Sequence, residues 1–233
     1  MKSPGHFSDL SSRYGNRIVA NDAVIGRVVD FYFEDGTWAI RYVVADTGHW
    51  LRQRQVLLSP HAFAAWEPTR GSWNVHLTQE QVENSPEIAE HLPVSRQFEE
   101  RYCQYYGWPA YWKEMDHLGP AGFVVAGKPD PRFPQSESVS PPDIHLRSTK
   151  AVTGYEVHGI DGLVGRVAGF RMDDVHWKLV ELILDPDPDL AGEAIRIPTG
   201  KIARIAAAES KVWVHLTRPE VEATIALQTG GTN

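Results

Sequence analysis

The strongest constraint on this sequence is an internal repeat at an offset of 139 residues, which aligns Asp22 with Asp161. The aligned stretches have no gap: Asp22 to Asp46 with Asp161 to Asp185, and Val75 to Glu83 with Val214 to Glu222. The identical pairs include Gly26/Gly165, Arg27/Arg166, Phe31/Phe170, Trp38/Trp177, His76/His215 and Thr78/Thr217. Such a repeat predicts two copies of one domain, at residues 8–84 and 147–228, with residues 85–146 between them.

Each copy has the pattern of a strand-rich domain. An aromatic and β-branched run ends at Asp35-Gly36, a dipeptide that favours a hairpin turn because both residues tolerate positive φ. The return strand is predicted from Trp38 to Ala45, and alternation places Trp38, Ile40, Tyr42 and Val44 on one face. Further short strands are expected near residues 55–58 and 73–77 and at their counterparts. Short, closely spaced strands in so small a unit favour a compact barrel, which leaves no sheet edge exposed.

Each copy is predicted to end in a capped helix. Thr78-x-x-Gln81 and Thr217-x-x-Glu220 fit the capping box, in which the threonine oxygen accepts a helix N–H and the Gln or Glu side chain reaches back. Val82 and Val221 are then expected to pack against the barrels.

The segment between the copies contains "CQYYGWPAYW", Cys103 to Trp112. Ser95 is predicted to cap a helix that begins at Arg96, with Phe98, Tyr102 and Tyr105 or Tyr106 on one face and Gly107 as its C′ residue. Beyond it, Gly127 to Asp143 has the Pro- and Ser-rich composition of a linker.

Three interpretations of the aromatic connector stay open. Its rings pack against one or both barrels, because small domains gain from a shared core. Alternatively, they form a binding surface for a protein partner or a second copy of the chain, since Tyr and Trp are enriched in binding hot spots. A chromophore or quinone site is the third. The candidate partner-binding residues are Tyr102, Tyr105, Tyr106, Trp108, Tyr111 and Trp112.

Composition argues against several functional classes. The formal net charge is −7 and no run of five Lys or Arg occurs, so a general nucleic-acid surface is disfavoured. No stretch approaches the roughly 18 apolar residues of a membrane helix, and the N-terminus lacks the apolar region of a signal peptide. The single cysteine cannot form an internal disulfide. We therefore expect a cytoplasmic protein with no integral membrane segment, although peripheral association with a membrane complex stays open.

Residues that could carry chemistry occur singly. His76 and His215 have no second ligand at short spacing, and "DPDPD", with Asp185, Asp187 and Asp189, lacks the glycine and distal glutamate of a calcium loop. Cys103 has no paired histidine or cysteine in the sequence pattern. Glu181 replaces Tyr42 of the first copy and would need a partner or a raised pKa if its face is buried. No catalytic or phosphate-binding motif occurs, so we expect no enzyme, no cofactor and no metal site.

The pattern "GRV…F…W…D", its turn, "VHLT" and the capped helix resemble a PRC-barrel domain. "PVSRQFEERYCQYYGWPAYW", Pro93 to Trp112, also resembles the connecting segment of bacterial tandem PRC-barrel proteins. This resemblance implies a mainly β protein: two small barrels, each with a C-terminal helix, joined by an aromatic helical connector. It covers most of the chain outside the segment between the copies.

The resemblance also implies a class of function. The same barrel occurs in the cytoplasmic part of the photosynthetic reaction-centre H subunit and in the C-terminal domain of a ribosome maturation factor, and in both it is a docking module. We therefore expect a non-enzymatic cytoplasmic adaptor, with a homodimer as one option for its partner. The alternatives are an accessory protein at the cytoplasmic face of a photosynthetic or electron-transfer membrane complex, and a small-ligand binder at the cleft between the barrels.

Overall fold

The computed structural model describes residues 7–51, 54–64, 71–86, 96–110, 146–187 and 194–229. The side chains of residues 96–98 and 224–229 are not included in that description. Ser95, Tyr111, Trp112, Asp189 and the predicted linker from Gly127 to Asp143 lie outside the described residues.

Thirteen strands are present in the described ranges: β1 (Phe7–Asp9), β2 (Arg17–Val19), β3 (Val24–Glu34), β4 (Ile40–Asp46), β5 (Gln55–Leu58), β6 (Ser72–Asn74), β7 (Leu146–Ser148), β8 (Glu156–His158), β9 (Leu163–Asp173), β10 (Lys178–Pro186), β11 (Ile195–Pro198), β12 (Ile202–Ala206) and β13 (Lys211–Val214). The α-helices are α1 (Gln79–Glu83), α2 (Arg96–Tyr106), α3 (Thr149–Val152) and α4 (Arg218–Thr229). Short 3₁₀ helices occur at Leu10–Arg13, Gly48–Leu51, Pro60–Ala62, Thr199–Lys201 and Ala207–Glu209.

The strands form two sheets, one for each repeat, which share the same arrangement except that the repeat 2 sheet also contains β12. The repeat 1 sheet has the order β5-β4-β3-β2-β6, and the repeat 2 sheet the order β11-β10-β9-β8-β13-β12. β2 pairs with β6 in parallel, as β8 does with β13, whereas the other pairs are antiparallel. The prediction of a mainly β protein is confirmed, although neither sheet closes into a barrel among the strands described.

Each repeat donates its first strand to the sheet of the other. β1 pairs with β9 of repeat 2, with Phe7 opposite Asp173. β7 pairs with β3 of repeat 1, with Leu146 opposite Glu34. These two pairings are equivalent under the sequence repeat, so the two copies are related by a reciprocal strand exchange.

A hairpin forms at Asp35-Gly36 as predicted. The reason for that prediction was wrong, because the residue with positive φ is not in this dipeptide. Positive φ occurs at Trp38 (63°) and at the equivalent Trp177 (51°), not at Gly36. The return strand accordingly starts at Ile40, two residues later than expected. A left-handed conformation is unfavourable for a bulky residue, so other contacts must hold it.

Those contacts cross between the repeats. The Ile40 N–H donates to the Trp177 carbonyl at 2.8 Å, and the Leu179 N–H donates to the Trp38 carbonyl at 2.8 Å. The left-handed residues therefore direct their carbonyls at the opposite repeat, and the two hairpins are joined by a symmetric pair of backbone hydrogen bonds.

Buried side chains complete the contact between the repeats. One continuous hydrophobic cluster contains residues of both sheets, and Trp177 contacts Phe63 and Trp73 of repeat 1, with ring centroids 5.0 and 5.2 Å apart. Arg13 forms a 2.7 Å ion pair with Asp174, and both side chains are buried. The repeats therefore share one core and form a single pseudo-symmetric body.

Asp30 of repeat 1 orders the start of α3 in repeat 2. Its carboxylate accepts from the Thr149 hydroxyl at 2.8 Å and from the Lys150 N–H at 3.1 Å. The Tyr14 hydroxyl and Thr149 are also hydrogen-bonded at 2.8 Å. Burial raises the pKa of Tyr14 to about 12, so its phenol stays protonated at this contact.

Local predictions from the sequence hold at several positions. Thr78 and Gln81 form the complete capping box, Glu220 accepts from the Thr217 N–H at 2.8 Å, and Val82 and Val221 are fully buried.

Gly26 lies against the carbonyl of Asp46, which would be 2.3 Å from an added Cβ. Within the described ranges, no helix is long and apolar enough to cross a bilayer.

Candidate functional site

The connector helix α2 covers the outer face of the repeat 1 sheet, defined here as the face that points away from the shared core. Tyr102 is fully buried and packs edge-on against Tyr42, with ring centroids 5.8 Å apart. A second hydrophobic cluster surrounds this contact, formed by Tyr42, Val44, Leu57, Tyr102 and Leu146. The connector thus packs within the chain, as the first interpretation of its aromatic residues expected.

The end of α2 folds the aromatic residues back onto it. Gly107 has a φ of 69°, and the Trp108 N–H donates to the Cys103 carbonyl at 3.0 Å. This is the Schellman arrangement, so the prediction of Gly107 as the C′ residue is confirmed. Trp108 consequently stacks on Tyr106, with ring centroids 4.3 Å apart and an interplanar angle of 10°.

The candidate partner-binding residues fall into three groups. Tyr102 is buried inside the chain and presents no surface to a partner. Tyr105 is 42% exposed and donates its hydroxyl to the Gln81 carbonyl at 3.0 Å, while Tyr106 and Trp108 are half-buried. Tyr111 and Trp112 lie outside the described residues. The described part of the connector therefore offers a small aromatic surface around Tyr105.

The tyrosine hydroxyls of this cluster are not placed for proton transfer near neutral pH. Burial raises the pKa of Tyr102 well above its ordinary value, and the neighbouring Tyr106 and Tyr42 raise it further. Burial also raises the pKa of Tyr106. Both groups stay protonated, which fits a packing role.

The equivalent outer face of repeat 2 has a different surface. Arg171 and Glu181 stand at the positions of Tyr32 and Tyr42 in repeat 1, and they form an ion pair at 3.1 Å. Phe7 stands at the position of Leu146 and is 48% exposed, with the Arg171 guanidinium 5.6 Å above its ring. No described helix covers this face.

Glu181 has the partner that the sequence analysis required of a buried carboxylate. Its side chain is 26% exposed and its partner is Arg171. A register shift between Leu179 and Glu181 breaks simple alternation along β10, so Leu179 is buried in the core while Glu181 faces outward. A register shift in repeat 1 separates Ile40, which lies in the shared core, from Tyr42 on the outer face in the same way. The prediction that Trp38, Ile40, Tyr42 and Val44 share one face was therefore wrong.

A cavity of about 280 Å³ lies where the two repeats and the connector meet. Its lining includes Arg41, Tyr42, His61, Cys103, His176 and Trp177. These residues come from β4, the 3₁₀ helix Pro60–Ala62, α2 and the β9–β10 hairpin. Sequence reasoning missed Arg41, His61 and His176, since only the contact between the repeats brings them together.

Two carboxylates that are not part of the lining bind polar side chains that are. Glu34 accepts from Arg41 Nη2 at 2.6 Å and from Arg41 Nε at 3.2 Å. Asp173 lies 2.7 Å from His176 Nδ1. Burial raises the pKa of Asp173, but hydrogen bonds from the His176 ring and from the His176 and Val175 N–H groups outweigh it, so the pKa is lowered overall.

The other candidate residues are not assembled into a site. His76 and His215 are exposed, and His76 alternates with the buried Val75 and Leu77. Asp185 is exposed on β10. Among the described residues, no group of three His, Cys, Asp or Glu side chains is arranged to hold a metal ion.

No protein-family model matches the sequence, and no curated protein matches it.

Proposed function

We propose that the protein is a non-enzymatic docking module of the tandem PRC-barrel type, in which the outer face of the repeat 2 sheet binds a helix of a partner protein. The observation that carries this proposal is the occupancy of the equivalent face in repeat 1. There, α2 packs on the sheet through Tyr102 and Tyr42. The same backbone surface in repeat 2 is accessible, with Phe7 about half exposed.

The residues of the repeat 2 face indicate the chemistry of the partner. Phe7 and the half-buried Ile183 would contact apolar side chains. Arg171, which also pairs with Glu181, and the exposed Arg196 place positive charge on this face, and guanidinium groups bind carboxylates through paired hydrogen bonds. An amphipathic helix with acidic and apolar residues on one side meets both requirements.

The resemblance of the sequence to tandem PRC-barrel proteins supports the same proposal, because the barrels of that family act in docking. Fold alone does not determine function, so the surface of repeat 2 carries more weight than the resemblance. The accessory role at an electron-transfer membrane stays a prediction that no described residue favours.

The test places a photo-crosslinking phenylalanine at Ile183 and, as a matched control, at Val24, which is 53% exposed on repeat 1. In native extract, we expect position 183 to crosslink a protein that position 24 does not. In affinity capture without the crosslinking residue, the Ile183→Asp variant should no longer bind this protein, whereas the Val24→Asp variant should still bind it.

Two results would overturn this proposal. Capture of the same protein by the Ile183→Asp variant, folded as judged by circular dichroism, would place docking elsewhere. A crosslink at position 183 to a second copy of this chain would replace the partner protein by a homodimer, which analytical ultracentrifugation would then detect.

A further inference from the structure

The cavity between the repeats has the size and position of a site for a small molecule. Its volume of about 280 Å³ is close to the lower end of ligand pockets, which hold roughly 300–1,000 Å³. It lies at the junction of three segments of the chain, where binding sites occur preferentially. It is distinct from the outer face of repeat 2.

One part of the lining is apolar and includes the planar indole of Trp177. Ile40, Trp177 and Pro109 contribute to it, and Trp177 is held in place by its contacts with Phe63 and Trp73. An indole fixed in this way offers a rigid surface for an unsaturated or aromatic ligand, since aromatic rings prefer offset-stacked or edge-on contacts.

The polar part of the lining contains positive or neutral groups. Arg41, His61 and His176 line the cavity, and none of the described residues that line it is Asp or Glu. Arg41 contributes a guanidinium group, which has only donors and no acceptor. Glu34 and Asp173 bind Arg41 and His176 and restrain their side chains, but neither carboxylate belongs to the lining.

The hydrogen bond to Asp173 defines what His176 offers. An ionised carboxylate only accepts, so Nδ1 of His176 carries a hydrogen in this pair. The other ring nitrogen, Nε2, accepts in the neutral ring and donates in the charged ring.

From this lining we infer that the cavity binds a small organic anion, a monocarboxylate with a flat aromatic or unsaturated body. The carboxylate is placed toward Arg41 and His61, and the flat body lies against Trp177. Metal binding is disfavoured because the described residues hold no suitable ligand group.

The chain offers a reporter inside this cavity. Cys103 is its only cysteine and contributes to the lining, and it is buried. A bound molecule should slow the reaction of its thiol with a disulfide reagent. The probe is benzoate, and benzamide is its uncharged control of the same shape.

We expect benzoate to bind with a dissociation constant on the order of 1 mM, as suits a ligand of this size. It should slow thiol modification and shift the ring resonances of His61 and His176, whereas benzamide should do neither. The Arg41→Gln variant should weaken benzoate binding by about tenfold or more.

The matched control is Arg147→Gln. Arg147 forms a similar 2.8 Å pair with Asp35, next to Glu34 in sequence, but does not line the cavity. This variant should bind benzoate like the wild type, and Arg41→Lys should recover part of the lost affinity. If Arg41→Gln does not fold, the His61→Gln variant tests the same claim, because His61 is exposed and contributes little to stability.

Three results would overturn the inference. Equal binding of benzoate and benzamide would remove the role of charge. If benzoate does not bind at a concentration ten times the expected dissociation constant, the cavity is not a site for it. Binding that leaves both Cys103 reactivity and the histidine resonances unchanged would place benzoate elsewhere on the protein.

Discussion

The outer faces of the two sheets have the same backbone and opposite surfaces. In repeat 1, Tyr42 and Val44 are 2% and 1% exposed beneath α2. In repeat 2, the equivalent positions are Glu181 and Ile183, and both reach solvent. One face is therefore closed within the chain, and the other is available to another molecule.

The inner faces differ much less. Phe31, Phe33 and Ile40 of repeat 1 correspond to Phe170, Met172 and Leu179 of repeat 2, and all six are buried and apolar. Core packing limits the inward positions to apolar residues of similar volume. The outward positions are free of that limit. The residue differences between the two outer faces therefore indicate what each face contacts.

The largest expected effect comes from exchanging residues between the two outer faces. Tyr42→Glu places a carboxylate under Tyr102 and should lower the free energy of unfolding by about 3–5 kcal/mol, the usual cost of an uncompensated buried charge. Glu181→Tyr should change it by less than about 0.5 kcal/mol, because that site reaches solvent. Urea denaturation measures both. Similar values for the two variants would show that the faces do not differ in burial.

A smaller effect tests where the repeats are alike. An added Cβ at Gly26 or at Gly165 would lie 2.3 Å from a carbonyl oxygen, of Asp46 or Asp185. Gly26→Ala and Gly165→Ala should each cost about 1–3 kcal/mol of unfolding free energy, as overpacking does. Gly36→Ala is the control, since nothing lies within 4 Å of its added Cβ. Unequal costs for the first two variants would contradict the equivalence of the repeats.

The smallest effect is a dependence of stability on pH at the repeat 2 hairpin. The pKa of Asp173 is lowered in the folded protein, so its ionised form stabilises the fold above the ordinary pKa of 3.8. That stabilisation is lost as the pH falls through the folded pKa. Asp173→Asn should therefore be less stable than the wild type near neutral pH, by less than about 1 kcal/mol.

The check is thermal unfolding of both proteins between about pH 6 and about pH 2, over which their difference should shrink. A difference that stays constant over this range would show that the folded protein does not favour the ionised form of Asp173 over the protonated form.

Features encoded in neighbouring residues were predictable from the sequence. The strands, the capping box at Thr78 and the helix end at Gly107 each depend on a few adjacent positions, and the repeat is visible as direct identity between two stretches of sequence. Burial on both faces of β4 was not predictable, because alternation gives only the face that the strand itself prefers. The second face is buried by α2, which lies far away in sequence.

The contact between the repeats could not be predicted from the sequence pattern either. β1 and β7 have three residues each, and their partners are chosen by the tertiary fold. The left-handed Trp38 and Trp177 are held by hydrogen bonds across the two copies, which no local propensity predicts. The cavity lined by Arg41, His61 and His176 follows from this contact and was missed for the same reason.

Hydroxyl-radical footprinting of the native chain tests the central claim most directly, since it measures side-chain exposure on both outer faces at once. We expect Tyr102 and Tyr42 to be protected, while Tyr105 on the same helix and Phe7 on repeat 2 are oxidised. Oxidation of Tyr102 as fast as that of Tyr105 would contradict the account, because it would mean that α2 does not cover repeat 1.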